Sequence, residues 1–327
     1  MSIVSRRSIA FGLGASAVLP SPLLRAQAKW PERPIKYVVP FPPGGGADFA
    51  ARVIAPKLGE FLGQPIVVEN KPGAGTTIAN DAVAKAAPDG YTLLQPNRDM
   101  TISPSIQSAL PYDTLKSFAW IGNAANGAFV LCVNPKVPVS SLTELVALAK
   151  AKPGTVTYGN LGIGGVVHMN MEALMRHLGI ELLSVPYKGA GPALAAAVSG
   201  EIMVSMTALT GALPFVRDGR LRALGVGLDK RAVQMPEVPT IAEAGGGNDT
   251  VVPTFFGLAA PAGTPRPIVE RISTELKRVL DSPETIDRLV QGGLVPAYST
   301  SAEFEAQVTS DVARFAKLVK AIGIKPQ

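Results

Sequence analysis

Beyond residue 29 the chain alternates between short apolar runs and longer stretches with apolar residues on a helical spacing. The run at 35–39 predicts a strand. Phe49, Val53, Ile54, Leu58, Phe61 and Leu62 fall on one side of a helix over 48–62, with Pro56 predicting a kink and Gly63 a stop. Residues 66–69 return as a strand, 77–87 as a helix ended by Pro88-Asp89-Gly90, and 91–94 as a third strand. This β-α-β-α-β order implies a mainly parallel sheet flanked by helices. From residue 128 the pattern repeats. Strands are expected at 128–133, 155–159, 182–186, 202–206 and 221–227, and helices at 141–151, 167–178 and 192–199. Helices over 267–280 and 302–322 close the chain. The fold class is therefore α/β, with two β-α-β assemblies implying two lobes and a cleft between them.

Ligands of such sheets bind beyond the carboxyl ends of the strands. Four glycine-containing turns fall there, at 40–48, 72–77, 159–165 and 187–192, each leading into a helix. Free N–H groups and the helix dipole favour an anion at such places. The first turn carries Gly44-Gly45-Gly46 but neither the Gly-Lys-Ser/Thr of a phosphate-binding loop nor the Gly-x-Gly-x-x-Gly spacing. Each turn also fits a simple tight reversal.

Several side chains are candidates for contact. Asp48 is placed either as a helix cap or as a ligand contact. Arg98 and Asp99 follow the third strand at the cleft edge, and Arg98 is preferred as the fixed positive partner of a carboxylate, with a solvated arginine as the alternative. Lys188 resembles it in position. His168 stands at a helix start facing the third turn, as a contact or as a packing residue, whereas His177 suits a helix C-terminus. No His-Glu-x-x-His, Cys/His cluster or Gly-x-Ser-x-Gly occurs, so no catalytic residue, metal or cofactor is expected. The single Cys132 reads as a buried strand thiol.

Composition changes the picture mainly at the N-terminus. Hydrophobic residues make up 47% and charged residues 17% of 327, as in a globular chain. Arg6-Arg7, an uncharged stretch over 9–19 and Ala26-Gln27-Ala28 have the order of an export signal cleaved near Ala28. The paired arginines resemble a twin-arginine signal, with a general secretory signal as the alternative. Removing Arg6, Arg7 and Arg25, with no acid in residues 1–28, lowers the net charge from +6 to +3. That balance accommodates an anionic ligand, and the absence of a dense basic run argues against nucleic acid.

The ordered segments Phe41-Pro42-Pro43-Gly44-Gly45-Gly46-Ala47-Asp48, Asn70-Lys71-Pro72-Gly73-Ala74-Gly75 and Ala87-Pro88-Asp89-Gly90-Tyr91-Thr92 resemble the Bug-type receptors of tripartite tricarboxylate transporters. So do Val185-Pro186-Tyr187-Lys188-Gly189-Ala190-Gly191-Pro192, Pro236-Glu237-Val238-Pro239-Thr240 and Ala260-Pro261-Ala262-Gly263-Thr264-Pro265. The resemblance spans essentially all of the mature chain. It implies a two-lobed periplasmic-binding-protein fold (type II-like) with hinge strands, closing on a small organic anion, often a carboxylate or dicarboxylate. Lobe one is expected at 29–122 plus 228–327 and lobe two at 123–227. The implied ligand contacts in lobe one are Phe41, Gly44, Gly45, Gly46, Ala47, Asp48, Gly75, Thr76 and Thr77, with Arg98 added. Those in lobe two are Gly164, Gly165, Val166, His168, Lys188, Gly189, Ala190 and Thr207. The implied partners are membrane transporter subunits, and a periplasmic monomer without enzymatic activity is expected. A sensor module for a signalling partner is the alternative, and an enzyme on the same scaffold a further one.

Three departures from the family pattern bear on the ligand. The third turn ends Gly165-Val166 rather than with serine, Thr207-Ala208 stands where an Asp-Asn pair is common, and 97–100 reads Asn-Arg-Asp-Met rather than Ser/Thr-rich. They point away from an amino-acid-like ligand, which needs an acceptor for its ammonium. An aromatic or partly apolar carboxylate is expected instead.

Overall fold

The computed structural model describes residues 30–160, 162, 164–187 and 189–326. The expected export segment over 1–28 and Lys188 lie outside them.

The chain begins β1 (Ile35–Val39), α1 (Gly46–Leu62), β2 (Ile66–Asn70), a 3-10 turn at Ala74–Thr76, α2 (Thr77–Ala84), β3 (Thr92–Leu94) and α3 (Asp99–Ile106). Then β4 (Phe118–Gly127) and β5 (Phe129–Val133) follow with only Ala128 between them. The middle of the chain is α4 (Leu142–Ala151), β6 (Thr157–Asn160), α5 (Val166–Leu178), β7 (Leu183–Pro186), α6 (Ala190–Ser199), β8 (Val204–Ala208), α7 (Leu209–Arg217) and β9 (Arg222–Val226). It closes with β10 (Thr254–Pro261), α8 (Arg266–Leu280), α9 (Pro283–Gln291), β11 (Leu294–Pro296) and α10 (Ser301–Ile322).

Local chemistry explains the helix ends. Gly63 takes φ 85° and returns its N–H to the Gly59 carbonyl, which ends α1. Ser141 accepts the Glu144 N–H at the start of α4, and Thr300 with Glu303 forms a reciprocal capping box on α10. Pro56 lies inside α1, which runs from Gly46 to Leu62 as one helix.

Two sheets form, ordered β11-β4-β10-β3-β1-β2 and β7-β6-β8-β5-β9. β1 runs parallel to β2 and β3, and β6 runs parallel to β7 and β8, as the β-α-β patterns imply. The sheets are nevertheless mixed, because β10 is antiparallel to β3 and β4, and β5 to β8 and β9. The cause lies in the crossings. β4 leaves the first sheet in the direction of β1 and β3, whereas β5 and β10 enter a sheet from the other one and so run against its neighbours. The carboxyl ends of β1–β3 and of β6–β8 consequently face the same gap.

An edge-to-face aromatic cluster fills the first sheet's core, with Phe304 of α10 5.6 Å from Trp120 and 5.1 Å from Phe255. The second sheet packs Phe129, Leu131, Met206 and Tyr158 under α4 and α5, and the same cluster takes in Ile102 of α3 and Phe315 and Val319 of α10. Cys132 is buried on β5, and burial pushes its thiol up to about 12. β4 belongs to the first sheet as far as Gly127, past residue 122. Ala232, Met235 and Val238 pack with Val130 and Cys132, so the segment after residue 227 follows the second sheet rather than the first.

Candidate functional site

The turn after β1 is shaped by one carboxylate. Asp48, buried in the first turn of α1, accepts the Gly44 N–H at 3.0 Å, the Asn70 amide at 2.9 Å and the Arg52 Nε–H at 2.9 Å. Asn70 also donates to the Phe41 carbonyl at 3.0 Å, which ties β2 to the turn. Burial pushes the Asp48 carboxyl up, but the bonds from Arg52, Gly44 and Asn70 outweigh it and hold the group below the usual carboxylate range. Asp48 thus accepts an N–H bond at the start of α1. Gly44 has φ 89°, and both Gly44 and Gly45 border open space.

The turn after β2 is backbone-strained. Gly73, Ala74, Gly75 and Thr76 all have positive φ, at 133°, 46°, 58° and 78°. Ala74 and Thr76 hold that conformation against the clash of their Cβ atoms, a feature that concentrates at functional sites. Thr76 is left-handed and Thr77 right-handed, and their N–H groups close the turn on the Gly73 and Ala74 carbonyls. The Thr76 hydroxyl accepts from Asn80 at 3.1 Å, and the Asn80 amide also donates to the Tyr112 hydroxyl at 2.8 Å.

Arg98 is not where a ligand partner is wanted. Its guanidinium is 2.6 Å from Asp311 of α10, with both side chains buried, and lies 5.2 Å over the Phe255 ring. Burial pushes the Arg98 guanidinium down and the Asp311 carboxyl up, and mutual attraction opposes both shifts. Arg98, preferred from sequence as the partner of a ligand carboxylate, is paired here with Asp311 inside the first sheet's core.

Asp99 faces the gap. Its Oδ1 accepts the Val166 N–H, the first helical amide of α5, at 3.0 Å from the opposite sheet. Burial raises its carboxyl above the usual range, against the Val166 N–H and the nearby Arg98. Gly164, at φ 84°, passes so close to Ile106 of α3 that any side chain there would collide with it. Its N–H is accepted by His168 Nδ1 at 3.1 Å. That bond requires a neutral acceptor nitrogen, which agrees with burial lowering the imidazole pKa. His168 thus braces the turn from within α5.

These elements enclose a cavity of about 270 Å³ lined by Gly75, Asp99, Ser103, Gln107, Gly164 and Gly165, with Lys325 at the C-terminal edge. Of the sequence candidates, Gly75, Gly164 and Gly165 meet there, and Val166 adjoins through Asp99. Phe41, Gly44, Gly45, Gly46, Ala47 and Asp48 lie outside this lining, around the start of α1. Thr207 is buried in β8 opposite Val130, and Gly189 and Ala190 open α6. Asp99 was placed at the cleft edge beside Arg98 without a ligand role, and Ser103, Gln107 and Lys325 were not among the site candidates. An Asn97 side chain accepting the Asp99 N–H at 2.9 Å is the one sequence-level mark of a helix start there.

Comparison with known proteins gives a consistent result. Residues 50–324 match the tripartite tricarboxylate transporter family receptor family, TctC. Protein BugT of Bordetella pertussis is 34% identical over 298 residues, covering 90% of this chain and 91% of its own. The structure of periplasmic binding protein BugD superposes with a TM-score of 0.79 at 32% identity, over 91% of this chain and 100% of its own. The R. palustris protein Rpa4515, solved with adipate, gives 0.82 at 31% identity, over 91% and 100%.

Proposed function

The chain belongs to the tripartite tricarboxylate transporter receptor family, and from that premise we propose that it captures a small organic carboxylate between its two sheets for delivery to a membrane transporter. One observation carries the reading: two glycine turns expected to hold an anion, at Gly75 and at Gly164–Gly165, line one cavity. The strained turn borders the cavity at Ala74 and Gly75, and the first turn of α1 offers free N–H donors nearby. The relative solved with adipate supports a carboxylate as the cargo.

In this reading the protein is exported, loses its signal near Ala28 and works in the periplasm as a monomer. It binds its solute and does no chemistry on it. One lobe is built on β1–β4, β10 and β11, the other on β5–β9 with residues 227–253 packed on it. Gly189 and Ala190, at the start of α6, line the wider cleft. Transporter subunits recognise the closed form. A thermal-shift screen across mono-, di- and aromatic carboxylates tests the reading, because a ligand of the folded form raises the melting temperature by linkage. At a concentration a hundred times Kd the stabilisation is about 2.7 kcal/mol. A carboxylate is expected to raise the midpoint by several degrees. Neutral sugars doing so while every carboxylate fails would overturn it.

A further inference from the structure

The cavity wall carries one feature that a plain anion trap lacks. At its centre stands a carboxylate of the protein itself, Asp99, which already occupies the first amide of α5. The positive end of that helix is therefore offset before any ligand arrives. Among the described residues Asp99 has no ion-pair partner, because the adjacent guanidinium of Arg98 is turned to Asp311. Val166 engages Oδ1, which leaves the second carboxylate oxygen to the cavity. The neighbouring polar groups are occupied. The Ser103 hydroxyl donates to the Asp99 carbonyl at 3.1 Å, and Gln107 pairs with Thr77 at 3.2 Å. Lys325 is exposed at the rim.

A second ligand carboxylate placed at this wall would meet a like charge in a partly desolvated space, where repulsion is strongest. A hydrogen-bond donor would instead find an acceptor with an unused oxygen. We propose that Asp99 decides which solute is taken: a monocarboxylate whose other end donates hydrogen bonds, above all a protonated amine, in preference to a dicarboxylate. The inference rests on the carboxylate reading above. It replaces the sequence expectation that no acceptor for an ammonium is present, since the acceptor comes from α3 of the first sheet and not from the position of Thr207-Ala208.

The test is calorimetric titration of the mature chain with three series of four to seven carbons: ω-amino carboxylates, α,ω-dicarboxylates and unsubstituted monocarboxylates. At the best-fitting length the amino carboxylate is expected to bind at least ten-fold more tightly than the dicarboxylate. Asp99→Asn retains an oxygen for the Val166 N–H but removes the charge, and is expected to reduce that ratio at least ten-fold. A wild-type preference for the dicarboxylate, or a ratio unchanged in Asp99→Asn, overturns the proposal. The wild-type ratio alone decides should the variant fail to fold. Carboxylates binding without preference would remove this inference and leave the receptor reading intact. Binding of neutral sugars with no response to any of the three series would remove both.

Discussion

Asp48 and Asp99 each accept a backbone N–H beside a glycine turn, one on each side of the first sheet's carboxyl edge. Asp48 finds its amide, its cation and its amide side chain within its own sheet, and the surplus of donors holds its charge in place. Asp99 finds a single amide on the opposite sheet and no cation, and burial works against its charge. The same side chain therefore builds a turn in one place and biases a cavity in the other. The number and origin of the donors make the difference, and the residue type does not.

The largest effect tests whether Arg98 belongs to the Asp99 side of this contrast. Because Arg98 pairs with Asp311, Arg98→Ala leaves a buried carboxylate without a partner and is expected to cost about 3–5 kcal/mol in urea unfolding. Unchanged stability with weakened ligand binding would instead make it a ligand contact.

A smaller effect separates the two aspartates by pH. The folded pKa of Asp48 lies below its unfolded value of 3.8, so its contribution is in place above that value and is lost as pH falls through the folded pKa. The folded pKa of Asp99 lies above 3.8, so its contribution is complete below that value and is lost as pH rises through the folded pKa. Asp48→Asn is expected to lose about 2 kcal/mol at pH 7, with the deficit narrowing below pH ~4. Asp99→Asn is expected to match or exceed the wild type at pH 7 and to converge with it as pH falls towards 4. Urea unfolding between pH 3.5 and 8 reads both slopes, and slopes of the same sign would dissolve the contrast.

The smallest effect concerns the strained turn. Ala74→Gly relieves a positive φ worth about 1 kcal/mol but frees the unfolded chain by a similar amount, so a net change under about 1 kcal/mol is expected. A larger loss of the urea midpoint would mean that the Ala74 methyl makes a contact the fold needs.

Much of this architecture was legible in the sequence where one element has one environment. β1, β2 and α1 announce themselves through apolar spacing, and Gly63 marks a helix end by known chemistry. β4 did not, because it is buried on both faces and carries Asn123 and Asn126 amid alanines, a composition with neither alternation nor strand propensity. α3 hid behind Pro104 and a weak apolar stripe, and with it went the cavity wall of Asp99, Ser103 and Gln107. Arg98 was misplaced for another reason. Its partner Asp311 lies on the last helix, and no local pattern in the sequence connects the two.

Ala128 has a mechanical consequence. As the whole link between β4 and β5, it contributes only two soft torsions to the outward crossing, while the return from β9 to β10 runs through residues 227–253. A joint so short holds the end of β4 next to the start of β5. The gap spanned by that joint is also crossed at Asp99, whose carboxylate accepts the Val166 N–H from the opposite sheet.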